Sequence, residues 1–132
     1  MRYLLDTNIV SDLVRNPRGR VAQRVGEVGE ENVYTSLIVA SELRYGAAKK
    51  GSPRLSAQLE SVLRALDVLP LESPADIVYG HLRADLERAG TIIGGNDLFI
   101  AAHAISVGDV LVTGNEREFS RIDDLVIENW LV

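Results

Sequence analysis

The chain has 132 residues, 46% of them hydrophobic and none of them cysteine. That length fits one domain over residues 1–132 that buries roughly two-thirds of the surface its unfolded chain exposes, and the lack of cysteine excludes disulfides, thiolate metal sites and cysteine nucleophiles. A net charge of −5 argues against loose electrostatic binding to nucleic acid, though not against a nucleic-acid substrate held at a defined site.

In chain order, residues 2–5 read as a short buried strand, and Asp6, Thr7 and Asn8 supply capping chemistry for a helix from Ile9 to Val14. Asn16-Pro17 breaks that helix. Residues 19–28 repeat Val21, Val25 and Val28 at helical spacing, and residues 32–35 read as a second strand. Leu37 to Lys50 is helical with Leu37, Ala40, Leu43 and Ala47 on one face; residues 54–66 give another amphipathic helix, and residues 68–71 a brief strand. Ser73 is placed to cap a helix with Pro74 first and Asp76 in the first turn, ending at Gly90. After a loop at 91–95, Asn96 is expected to cap an apolar helix over 97–107 that Gly108 stops. Residues 109–113 and 125–127 read as two last strands. Alternating strands and helices imply an α/β domain with a mostly parallel sheet covered on both faces.

Only three apolar residues separate Arg2 from Asp6, too few for a signal segment. No apolar run approaches the roughly 18 residues of a membrane span. The expectation is a soluble cytoplasmic protein with no membrane partner.

Three acids carry the chemistry. In an open parallel sheet, ligands bind beyond the carboxyl ends of the strands. Asp6 stands at that end of the first strand, and Thr113-Gly114-Asn115 at that end of the Val110–Val112 strand. Asp97 shares a helical line with Ile100, Ala101 and Ala104, and Glu42 with Ile38 and Tyr45. Each acid has a duller reading: Asp6 as a cap, Asp97 as a first-turn acid favoured by the helix dipole, Glu42 as a surface residue. Their joint placement favours a cleft. Three carboxylates about 5 Å apart would repel by roughly 3 kcal/mol per pair at an effective dielectric of 20. A hard divalent cation removes that cost, and all-oxygen ligands favour Mg²⁺, with Mn²⁺ able to replace it.

Other residues read more blandly. Asn115 suits an ordinary turn, His103 and His81 suit packing or surface positions, and Trp130 suits a packed terminus. Two cationic groups, one of Arg15, Arg18, Arg20 and Arg24 and one of Arg44, Lys49, Lys50 and Arg54, fit solvated helix faces or a polyanion surface equally. A receiver-type phosphoacceptor needs a late lysine, and none follows Lys50; a haloacid-dehalogenase-like phosphatase needs an acid where Asn8 stands.

Four runs then resemble a known family: Leu5-Asp6-Thr7-Asn8, Ser41-Glu42-Leu43-Arg44-Tyr45-Gly46, Asn96-Asp97-Leu98-Phe99-Ile100-Ala101-Ala102-His103-Ala104 and Val112-Thr113-Gly114-Asn115-Glu116-Arg117-Glu118-Phe119. Their order and spacing resemble PIN-domain ribonucleases, more narrowly the VapC toxins of bacterial toxin–antitoxin pairs and their FitB-like relatives. The resemblance implies a PIN-like three-layer fold with a short, mostly parallel sheet flanked by helices. It implies a catalytic set of Asp6, Glu42, Asp97 and Asn115, with Asp6 and Asp97 as direct metal ligands and Glu42 completing the cluster. Asn115 stands where the family often has Asp, so Glu118 is expected to compensate. Thr7 and Thr113 would orient ligands or water. The implied activity is Mg²⁺-dependent hydrolysis of phosphodiester bonds in a structured RNA, a tRNA by expectation. Implied partners are a VapB-type antitoxin, whose arginine could enter among the acids, and a second copy in a homodimer, with DNA reached only through the antitoxin. The alternative is a PIN-like RNA- or protein-binding module without chemistry.

Overall fold

The computed structural model describes every residue from Met1 to Val132. Five strands form one sheet: β1 (Tyr3–Leu5), β2 (Val33–Ser36), β3 (Asp67–Leu69), β4 (Val110–Val112) and β5 (Ile127–Glu128). Their order is β3-β2-β1-β4-β5, and all four pairings are parallel. Parallel neighbours need crossovers, and helices supply them: α1 (Thr7–Arg15), α2 (Arg20–Val28), α3 (Leu37–Lys50), α4 (Pro53–Ala65), α5 (Ala75–Ala89), α6 (Gly95–Val107) and α7 (Glu116–Phe119). The expected α/β architecture is therefore present, and the sheet is parallel throughout.

Strand order positions the site. From β1 the chain steps outward through β2 to β3, then returns past β1 to build β4 and β5 on its other side. The order thus reverses between β1 and β4, and a crevice opens there beyond their carboxyl ends. Registers Leu5 with Thr35 and Leu5 with Val112 bring those ends level. Asp6 and Thr113, each one residue further on, consequently share a rim. The strands hold because both faces are covered: Leu4, Leu5, Tyr34, Leu111 and Val112 are fully buried. Full burial of such side chains contributes about 1.5–3 kcal/mol each.

The structure corrects several boundaries. Ser73 does not cap α5. A turn closed by Ala75 N–H donating to the Glu72 carbonyl comes first, so Pro74 becomes the cap residue and α5 starts at Ala75. Asn96 does not cap α6, which begins at Gly95 behind Gly94; Asn96 lies inside the first turn, free to reach another element. The last strand falls at Ile127–Glu128 rather than 125–127, because Leu125 closes a turn with Ile122 and its apolar side chain is buried there. On α3, Leu37 is exposed, and Val39 takes the inward place beside Ala40 and Ala47. The short α7 had no apolar period to announce it. No helix is long and apolar enough to cross a membrane.

Candidate metal centre

Asp6 is fixed by three backbone or side-chain bonds. Its N–H donates to the Val112 carbonyl at 2.9 Å, which ties the end of β1 to β4. As the N-cap of α1, it accepts the Thr7 N–H on Oδ1 at 2.8 Å. On Oδ2 it accepts the Thr113 hydroxyl at 2.7 Å. Asp6 is only 4% exposed, so it serves as a cap and also faces inward. Burial pushes its carboxyl above the ordinary range; the Thr113 and Thr7 hydrogen bonds pull the other way, and the Glu42 charge adds to the rise.

Thr7 links the first acid to the second. Its hydroxyl donates to Glu42 Oε1 at 2.8 Å, while its own N–H holds Asp6. Glu42 rides half-buried on α3, and its other oxygen accepts Asn96 Nδ2 at 3.4 Å, a long bond. Asn96 is thus drawn to Glu42 across the cleft.

Asp97 sits half-buried in the first turn of α6. Glu42 and Asp97 line one open depression of about 460 Å³, with Gly94, Gly95 and Asn96 and no apolar side chain. Burial, a hydrogen bond shared with Glu118, and the negative charges of Asp6, Glu118 and Glu42 push the Asp97 carboxyl up to about 7. Near neutral pH Asp97 therefore retains part of a proton.

The fourth run closes the ring. Asn115 N–H donates to Thr113 Oγ1 at 2.9 Å, and Asn115 Nδ2 donates to Glu118 Oε2 at 3.2 Å. Gly114 N–H donates to Asn8 Oδ1 at 3.1 Å, clasping the β4 exit to α1. Asp6, Thr7, Glu42, Asp97, Thr113, Asn115 and Glu118 thus occupy one connected neighbourhood. Sequence reasoning gave Asn8 and Asn96 capping roles and missed that they brace this ring. His103 stands apart: it is buried, with its ring 6.0 Å from Tyr34 and Nδ1 unpartnered, and burial lowers its pKa.

The donor chemistry fits a hard divalent cation. All the acidic donors are carboxylate oxygens, and no Lys or Arg pairs with any of them; every ion pair lies elsewhere. Burial is the largest cause of the raised Asp97, and a cation would relieve the smaller part that comes from the charges of Asp6, Glu118 and Glu42. As the side chains stand, no three acidic groups close round a common point tightly enough to ligate an ion. Asp97 is turned to Glu118, and Glu42 is held by Thr7 and Asn96. Ligation therefore requires small rotations that trade these hydrogen bonds for metal contacts.

A parallel sheet that reverses at β1, with acids gathered at the switch, defines a class. The sequence profile of the PIN domain matches residues 3–125. Among the similar proteins is ribonuclease VapC2 of Rickettsia felis, 38% identical over 132 residues and covering 98% of both chains. Another is the tRNA(fMet)-specific endonuclease VapC of Salmonella typhimurium, 38% identical over 131 residues and again covering 98% of both. The DNA-bound VapBC crystal structure from Salmonella typhimurium superposes with a TM-score of 0.90 at 38% identity, covering 98% of each chain. The chain belongs to the PIN-domain family and, within it, to the VapC ribonucleases.

Proposed function

We propose that this protein is a Mg²⁺-dependent endoribonuclease, the toxin of a toxin–antitoxin pair, that hydrolyses phosphodiester bonds in a structured RNA, a tRNA foremost. One observation supports the reading: carboxylates from four separate stretches lie in one neighbourhood near the β1–β4 switch, near enough to raise one another's pKa, and none has a basic partner. The names of the relatives support it, since one is a tRNA(fMet)-specific endonuclease and another a ribonuclease.

Asp6 and Asp97 would hold the cation directly, with Glu42 completing the set and Glu118 supplying the charge that Asn115 lacks. A bound divalent ion supplies an activated water and neutralises charge on the phosphate. The chain's own groups do the rest. Thr113 aims Asp6, so this acid spends little orientation entropy when substrate arrives, while Thr7 keeps Glu42 beside the cleft until it turns to the cation. Asp97, raised to about 7, would give up the proton it part-holds as the site fills. The open depression between Glu42 and Asp97 leaves a phosphate free access.

The partner is a VapB-type antitoxin, in line with the VapBC complexes that the chain resembles. A groove of about 310 Å³ leads from Thr7 and Glu42 between α1, α3 and α4, with Val14, Leu43, Leu55 and Leu59 on its apolar side. It suits an amphipathic antitoxin segment that ends in an arginine among the acids. DNA is reached through the antitoxin, and the working form is a homodimer in the cytoplasm.

A second reading, a PIN-like binding module with weak or no chemistry, draws on Asn115 and on the acids not closing round a point. Cleavage of a fluorogenic RNA with Mg²⁺ or Mn²⁺ separates the two. Cleavage that chelator stops and Asp97→Asn abolishes supports the nuclease. Normal partner binding with no cleavage of any RNA supports the module.

A further inference from the structure

We infer that Arg15, Arg18 and Arg20 form a phosphate-backbone subsite that holds the RNA strand beside the acidic cleft. This rests on the nuclease reading above. With Asp12, Gly19 and Leu131, the three guanidiniums line an open basin of about 560 Å³ at the α1–α2 turn. All three arginines are exposed, and none is paired with a carboxylate. The basin's single acid, Asp12, already accepts Asn16 Nδ2 at 2.8 Å. Three cations thus face one acid in a chain of net charge −5.

The helix dipole accounts for Arg15, which lies in the last turn of α1, but not for Arg20. Arg20 opens α2, whose first turn holds no acid. The helix dipole disfavours a cation there, so Arg20 works against its own helix until an anion arrives.

Two contacts link the basin to the cleft. Leu131 on its wall lies against Gly114, where an added Cβ would stand 2.7 Å from Leu131 Cδ1. Gly114 follows Thr113, which grips Asp6. Arg15 also lines the groove that contains Thr7 and Glu42. From Asp6 to Arg15 is about 13 Å along α1 at 1.5 Å per residue, a distance a short stretch of ribose-phosphate backbone spans. Guanidinium meets phosphate through paired N–H donors. Contacts of this kind set the register of the strand without reading its bases. An acidic protein segment would meet the same charges, but the link through Arg15 to the groove of Thr7 and Glu42, beside a cleft that must receive a phosphate, favours the polyanion.

The test measures binding of a fluorescein-labelled single-stranded oligoribonucleotide by anisotropy in EDTA, across a range of KCl, alongside Mg²⁺-dependent cleavage. Arg18→Gln and Arg20→Gln should each weaken binding several-fold, and the double variant more than tenfold. Each should flatten the salt dependence by about 0.7 in log–log slope and raise KM far more than it lowers kcat. Melting temperatures should not fall below the wild-type value, and Arg88→Gln, an equal charge change on α5, should leave binding alone. Variants no weaker than Arg88→Gln, from a wild type that cleaves RNA, overturn this subsite but not the nuclease. Loss of antitoxin binding with RNA affinity intact overturns it too and gives the basin to the protein partner. A wild type that neither binds nor cleaves RNA overturns both readings.

Discussion

Single side chains divide into those that carry charge and those that aim it. Thr113 belongs to the second kind: its fully buried hydroxyl donates to Asp6 and accepts from Asn115 N–H. Thr113→Val keeps the shape and strands both partners. We expect a loss of about 2 kcal/mol of stability in chemical denaturation, with activity reduced because Asp6 is no longer aimed. Asp97 belongs to the first kind. Its folded pKa of about 7 lies above the ordinary carboxylate value, so its contribution to stability is fully present below about pH 4 and is lost as pH rises through 7. Asp6 shifts in the same direction. In EDTA, Asp97→Asn should therefore melt about 3–5 °C above wild type at pH 8, equivalent to about 1 kcal/mol for a half-exposed group screened by solvent, and with no such advantage at pH 4. Thermal melts at the two pH values check this; a lower melting temperature at pH 8 would contradict the account of repulsion.

At the scale of elements, the site depends on how β4 hands over to α7. Gly114 passes between Leu131 and Asn8 so closely that a Cβ would stand 2.7 Å from Leu131 Cδ1 and 3.1 Å from Asn8 Nδ2. Gly114→Ala should cost about 1 kcal/mol as Leu131 shifts, and should lower activity by loosening the Asn8 clasp; kinetics and melting on the same preparation read both. Arg44, by contrast, ties α3 to α4 through two bonds to Glu60 at 2.9 Å and touches none of the acids. Arg44→Ala should leave cleavage near wild type, and its loss with the fold intact would contradict the division of roles. These elements also mark what the sequence could reveal. The bounds of Leu37–Lys50 were legible, but its inward face was not: Leu37 is exposed and Val39 is buried, because apolar residues are spread round the helix rather than gathered on one side. The start of α5 was not legible, because the turn at Glu72 to Ala75 outcompeted the capping pattern of Ser73. Asn96 looked like a cap because residue type cannot report a partner 54 residues away.

For the whole molecule, the convergence of acids is a consequence of topology. Reversal of strand order at β1 sets Asp6 and Thr113 on one rim, and α3, α6 and α7 bring Glu42, Asp97 and Glu118 towards it. Motif order made that neighbourhood legible in the sequence, but the hydrogen bonds that turn Asp97 to Glu118 and Glu42 to Thr7 depend on side-chain packing that no period encodes. The central claim is that this neighbourhood takes up a hard divalent cation. Isothermal titration of the metal-free protein with Mn²⁺ and Mg²⁺ near pH 7, in two buffers of different ionisation enthalpy, tests it most directly. The account predicts saturable uptake with release of a fraction of a proton, because Asp97 must deprotonate to ligate, and predicts that Asp97→Asn loses both. Absence of uptake by the native protein, or uptake that Asp97→Asn leaves unchanged, would contradict it.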